Sequence, residues 1–414
     1  MPVRMDQVPP ISPRPSRPNA WLWLVGLPLL LLLLGVCATF LLSSPWLSQQ
    51  PVIFWGLALG APFLAWCVLS FGRISLYLGQ HRVADGWDKA RDEDLIRKVR
   101  QGRRVQQVLS VSLQTALRGA NASPAIQLDS LRSEAKATMA QPSRRVPAVS
   151  RHTRIAGEQS HGPAQALLKL LKQMLADLIP ALNKTPSNAP LALLLEVDTA
   201  MPERVWRGLW QQAWSESGIR QPLVSCEGSG LAAVDQWLDQ RIDDEASLLV
   251  VALQFAPPQP EGTAEAAVGL LFGNRRTQTA LPPIAYLHRP EQQLGSGAEG
   301  LLYAARQALD WVPLDVQSVE HVWQSGIDAS ESEALSTVLK NMALPAEHKQ
   351  GVYDLDVLLG NPGKASPWLA IGAAAQTIQS GAGPQFIFSS GGDVDAGLWS
   401  TVLTPVPTLW KQEP

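Results

Sequence analysis

Two uncharged apolar runs dominate the start of the hydrophobic pattern. Trp21 to Leu42, WLWLVGLPLLLLLLGVCATFLL, and Val52 to Phe71, VIFWGLALGAPFLAWCVLSF, contain no Asp, Glu, His, Lys or Arg. Each is long enough to cross about 30 Å of hydrocarbon as a helix. The pattern predicts a transmembrane hairpin over residues 21–71, preceded by a tail at 1–20. The first run is too long for a cleaved signal peptide, and the second follows it without a charged break. Beyond the hairpin, Asp85 to Leu117 places acidic residues early and basic ones late, as a helix leaving a membrane would, and residues 72–118 read as a juxtamembrane helix. Residues 119–162, rich in Ala, Ser, Arg and Pro, read as a linker.

From Pro163 to the end the pattern is globular. PAQALLKLLKQMLADLIPALN predicts an amphipathic helix ended near Pro180, and LALLLEVD predicts a buried strand. PERVWRGLWQQAWSESG predicts a helix opened by Pro202 and closed by Gly218. A short strand around PLVSC, a helix over 230–241, and the strands ASLLVVALQF and AAVGLLFG follow. Later come a helix over 300–309, VEHVWQSG as a strand entering a loop, SEALSTVLKNM as a helix capped by Ser330 or Ser332, and VYDLDVLLG as a strand. The chain then passes through a glycine turn into the small-residue helix of ASPWLAIGAAA and ends on the strand PQFIFSSGG. Continuous apolar strands alternating with helices predict an α/β layered domain over 163–414.

Charge orients the hairpin. Arg4, Arg14 and Arg17 precede the first span, the connector Ser43 to Pro51 is uncharged, and residues 73–104 hold nine Lys/Arg against five Asp/Glu. Both termini are therefore expected in the cytoplasm, with the chain in the inner membrane. A net charge of -2 argues against nucleic acid as the main partner. Cys37 and Cys67 fall within the spans, which leaves Cys226 as the one thiol of the globular part and excludes a disulfide framework there. His288 and His348 are expected in loops without companions at metal spacing, so neither metal nor cofactor is expected. Asp393 and Asp395 read as shaping a solvated turn. Trp206, Trp210 and Trp214 recur every four residues and form one helical stripe, which suits either a core or a partner groove.

The element order, with VSCEGSGLAAVDQW, DVQSVEHVWQSGIDASESEAL and LLGNPGKASPWLAIGAAA, resembles the thiolase-like fold and in particular the ketosynthases. The resemblance covers about residues 190–404 and implies a nucleophile at Cys226. Where the family carries its two histidines, this chain has Gln324 or Ser325 and then Asn361. A condensing enzyme needs an activated thiolate and imidazoles that hold the thioester carbonyl, so these departures predict a domain without catalysis. The anchor joined to such a domain is similar to the type VI secretion lipase adapter family. That likeness implies a membrane-anchored, catalytically silent adapter whose partner is a lipase effector or a secretion-spike component, and the thiolase resemblance admits a homodimer. The alternative is an acyl-transfer enzyme using Cys226 with His321 or Asn361.

Overall fold

The computed structural model describes residues 3–41, 50–119, 123–133, 136–144, 149–156, 162–312, 314–344, 351–391 and 397–407. The chain divides into two compact units, one over Arg4–Lys98 and the other built mainly from Val99 onward.

In the first unit, a π-helical turn Leu22–Gly26 leads into α1 (Leu27–Leu41). The helix α2 (Pro51–Trp55) continues through a π turn, Gly56–Gly60, into α3 (Ala61–Gly102). Two helical segments, Leu22–Leu41 and Pro51–Gly102, are long and apolar enough to cross a membrane. They pack closely at Gly35, where a Cβ would lie 2.2 Å from the Pro62 ring. Trp66 Nε1 donates across the hairpin to the Trp23 carbonyl at 2.7 Å. The helix α3 has 42 residues, about 63 Å at 1.5 Å per residue, which is twice the hydrocarbon thickness. The expected second span and juxtamembrane helix are thus one continuous helix.

That helix stops at Gly102, a correction to the helix expected through Leu117. Residues 105–114, VQQVLSVSLQ, form the strand β1. The charge-free, Val-rich sequence suits a strand with both faces covered, and tertiary pairing on both edges overrides the helix formers before it. The linker expected over 119–162 also carries structure: α4 (Pro124–Leu131) and a hairpin of β2 (Met139–Pro142) and β3 (Val149–His152).

Two successive sets of five strands follow one plan. The first comprises β1, β4 (Leu191–Thr199), β5 (Leu223–Ser225), β6 (Ser247–Phe255) and β7 (Ala266–Asn274). The second comprises β8 (Ala285–His288), β10 (His321–Ser325), β11 (Val352–Asp354), β12 (Gln385–Ser390) and β13 (Leu398–Pro405), with the short β9 (Glu291–Gln292) pairing at the side of β13. The first set is ordered β5-β4-β6-β7-β1 and the second β11-β10-β12-β13-β8. Each therefore reads third, second, fourth, fifth, first. In both, the fifth strand is antiparallel to its neighbours, and β1 joins β8 antiparallel to make one sheet.

Helices cover both faces of each half. α5 (Pro163–Leu182) and α6 (Glu203–Ser217) pack on one face of the first half, with Leu171, Met174, Leu178 and Trp210 meeting Leu249, Val251 and Leu271. α8 (Ala298–Asp310) and α9 (Ala329–Asn341) cover the second half through Leu301, Leu335, Phe386 and Val402. Between the remaining faces lie α7 (Gly230–Gln240) and α11 (Ser366–Gln379), in one cluster with Leu194, Val250, Trp323, Ile387 and Trp399. Every residue of α11 from Ser366 to Ile378 is buried. At its closest approach to β1 the helix has room only for glycine: a Cβ on Gly372 would fall 2.5 Å from Leu113.

Smaller differences from the expected elements have local causes. α5 ends at Leu182, two residues past Pro180 and near its expected end. Asp328, not Ser330 or Ser332, caps α9, in a reciprocal box with Glu331. VYDLDVLLG is a strand only to Asp354, whose side chain caps the short helix α10 (Leu355–Leu359). The chain does not end on PQFIFSS, because β13 follows it.

Candidate functional site

The two inner helices begin near one another, and the side chains at their starts define the candidate site. After β5 the chain passes Cys226 and two left-handed glycines, Gly228 (φ 96) and Gly230 (φ 53), into α7. The Gly230 N–H donates to the carboxylate of Glu196, which projects from β4 and is 7% exposed. The other Glu196 oxygen accepts from Trp368 Nε1 of α11 at 2.7 Å. One buried carboxylate thus links the start of α7 to α11, where the helix dipole favours negative charge. A Cβ on Gly230 would lie 1.9 Å from the Gly391 carbonyl oxygen. The first position of α7 therefore has no room for a nucleophile.

The start of α11 is equally filled. Asn361 Oδ1 accepts from Gly363 N at 2.8 Å, and the Asn361 carbonyl accepts from Gln254 Nε2 and Ala264 N. A Cβ on Gly363 (φ 56) would meet Gln254 Oε1 at 1.8 Å and Asp198 Oδ2 at 2.7 Å. Burial raises the Asp198 carboxyl, and nearby Lys364 offsets part of that rise. On the adjoining turn, a Cβ on Gly326 (φ 72) would lie 2.3 Å from Ser390 Oγ and 2.7 Å from Ser366 Oγ. Asp356 of α10 holds this turn, accepting from Gly326 N at 2.9 Å and Ile327 N at 2.8 Å. Burial pushes its carboxyl up to about 7 against the effect of those two N–H groups.

The residues singled out from sequence occupy separate places. Cys226 lines a cleft of about 260 Å³ with Gln236, Trp237 and Arg241. Burial raises its thiol, and Arg241 lowers it by less. His321 begins β10, at the opposite end of that strand from Gly326. Its ring meets Tyr353 edge-on at 5.3 Å and lies 3.5 Å from Arg132 Nη2, and burial lowers its pKa. Asn361 serves the α11 turn. None of the three hydrogen-bonds to another among the described residues, so they form no Cys-His-Asn set. Gln324 and Ser325 end β10, with Ser325 buried. His288, expected in a loop, lies on β8, where burial lowers it to about 4. The Trp stripe of α6 is core: Trp210 is buried, its ring 5.6 Å from that of Trp214, and Trp206 and Trp214 pack against the same cluster. His348, Asp393 and Asp395 lie outside the described residues.

Glu196 and Asp356 were not singled out from sequence. An acid directly after four apolar residues and alanine in LALLLEVD carries a readable signal, because a charge in a buried strand requires partners. Asp356 gives none, since VYDLDVLLG reads as a strand and nothing in DLD marks which acid is buried.

No protein-family model and no curated protein sequence matches the chain. Among solved structures, it is similar to the ishigamide ketosynthase/chain length factor, with a TM-score of 0.52 and 14% identity over 73% of this chain and 99% of that one. It is also similar to the PfaC keto synthase-chain length factor, with a TM-score of 0.51 and 11% identity over 74% of this chain. That match spans 43% of the PfaC chain. The peroxisomal thiolase of Saccharomyces cerevisiae aligns at 0.43 and 10% identity, over 73% of this chain and 98% of that one. The fold is thiolase-like. These comparisons correct the expected adapter: they return ketosynthase/chain length factor structures and give no support to a type VI secretion lipase adapter, a chaperone role or a lipase partner. The thiolase-like domain also begins earlier than Pro163, since β1 supplies the first strand of its first half.

Proposed function

We propose that this protein acts in acyl transfer, as a thiolase-like body tethered to the membrane by its apolar hairpin. The observation that supports it most is the duplicated five-strand plan around two inner helices, with one thiol, Cys226, opening on a cleft at the entry to α7. In this reading Cys226 accepts an acyl group by exchange with a thioester. The sulfur attacks the acyl carbon, the thioester C–S bond breaks, and the Cys226 proton leaves with the released thiol. Arg241 favours the thiolate and burial opposes it, so the exchange accelerates at alkaline pH. Both termini face the cytoplasm of an inner membrane, by the excess of Lys/Arg after the second span.

A second reading is favoured by the filled start of α7. With Glu196 on the Gly230 N–H and Gly391 against its Cα, the chain complements a condensing partner and forms no acyl-enzyme of its own. Pairing would use the β5 edge, which has no further strand beside it among the described residues and leaves Leu223 and Val224 each 39% exposed. A homodimer through this edge suits the same geometry.

Intact-mass spectrometry after incubation with a short acyl thioester of coenzyme A decides between them. A single acyl adduct that disappears in Cys226→Ala supports the first reading. Absence of any adduct up to pH 9, with the fold intact, removes it and leaves the partner reading, which then requires a co-purified condensing enzyme.

A further inference from the structure

The strongest unassigned feature is a cavity of about 310 Å³ on the outer side of the first half, beside α5. It lies against the α5/α6 core, whereas Cys226 packs against the inner cluster, so the two are different sites. Phe255, Leu168 and Ile155 give it apolar walls. Arg144, Lys169 and Lys172 also line it, and no carboxylate is among its lining residues that the structure describes.

The charge around Arg144 supports a ligand. Its side chain is only 6% exposed; Nε donates to both oxygens of the buried Glu265 at 2.7 and 3.0 Å, and Nη2 donates to the Ile155 carbonyl at 2.9 Å. Its guanidinium carbon lies 4.8 Å from the centre of the Phe255 ring. Arg154 donates instead to the Pro142 carbonyl at 2.9 Å, so Glu265 pairs with Arg144. Lys172 meets Glu216, while Lys169, one turn from Gln165 and Gln173, adds a further positive charge at the rim.

We infer that this cavity binds a small acidic amphiphile, a short acyl chain carrying a carboxylate. The chain would lie on Phe255, Leu168 and Ile155, and the head would meet the positive charge of Arg144 and Lys169. The volume is at the lower end of the roughly 300–1,000 Å³ of ligand pockets, which excludes a whole phospholipid. This inference stands whether or not Cys226 accepts acyl groups.

The test is calorimetric titration of decanoate, with decanol as the neutral control, into the full chain held in phosphatidylcholine nanodiscs. Empty nanodiscs supply the blank. One saturable site is expected, with decanol at least tenfold weaker. Lys169→Glu with Lys172→Glu, both on the exposed face of α5, should weaken decanoate at least tenfold and leave decanol unchanged. Lys169→Ala alone should weaken it by a smaller factor, which guards against misfolding of the double variant. Equal affinity for decanol, no saturable binding above the blank, or no response to either variant overturns the inference.

Discussion

Replacing Glu196 tests the link between the two inner helices most directly. Its carboxylate accepts from Gly230 N on α7 and from Trp368 Nε1 on α11, and neither donor has access to water, Gly230 and Trp368 both being buried. Glu196→Ala leaves both donors unpaired. Each buried orphan costs about 1–3 kcal/mol, which sums to about 2–6 kcal/mol before the small cavity is counted. Removing a buried carboxylate also removes its own desolvation cost, so the lower part of that range is expected. Glu196→Gln keeps the shape and one acceptor but turns an amide N–H₂ toward one of the donors, for a loss of about 1–3 kcal/mol. Urea unfolding of the detergent-solubilised chain, followed by tryptophan emission, measures both. The order wild type, Gln, Ala is expected, with the unfolding slope unchanged. If Glu196→Ala unfolds within about 0.5 kcal/mol of wild type, as an ordinary surface change does, the carboxylate does not hold the helices and the reasoning fails.

Other outcomes follow from single contacts. Gly230→Ala places a Cβ against the Gly391 carbonyl at a left-handed backbone position; a loss of about 2–4 kcal/mol is expected from strain and overpacking together, read by the same unfolding assay. Asp356 has a folded pKa near 7 against an ordinary 3.8, so the folded state holds its proton more tightly. Its contribution is full below about pH 4 and is lost as pH rises toward 7, with an upper size of about 4 kcal/mol; Asp356→Asn should flatten that part of the stability profile. Alkylation of Cys226 by iodoacetamide at pH 7 should run slower than that of a free thiol and rise with pH beyond the ordinary thiol range, because burial raises its pKa. A rate equal to or above free cysteine at pH 7 contradicts that account. Trp210→Ala should cost about 3–5 kcal/mol if the α6 stripe is core, and a thermally unchanged variant would return the stripe to the surface.

Most helices and the fully buried strands were legible because their signals are local. ASLLVVALQF is apolar throughout and forms β6, buried from Leu248 to Phe255. Residues 163–182 have a clear helical stripe and form α5. The segment 105–114 was not legible. Gln106, Gln107, Ser112 and Gln114 are buried in β1, and a strand with polar residues on covered faces has neither strand alternation nor an apolar run. β8 and β13 were missed for a related reason, being short or interrupted runs that become strands through pairing with distant neighbours.

The candidate site divides along the same line. The sequence by itself determined that positions 324, 325 and 361 carry Gln, Ser and Asn, that Cys226 is the one thiol of the globular part, and that two apolar runs precede it. These are properties of residue identity and composition, which no folding changes. Only the tertiary structure decided that Cys226, His321 and Asn361 are kept apart, that the Trp stripe of α6 faces the core, and that Glu196 and the Gly391 carbonyl fill the start of α7. Those facts depend on which strands become neighbours in a duplicated order of third, second, fourth, fifth, first. Residues as far apart in sequence as Glu196 and Trp368 meet only when both halves have closed on the same pair of helices.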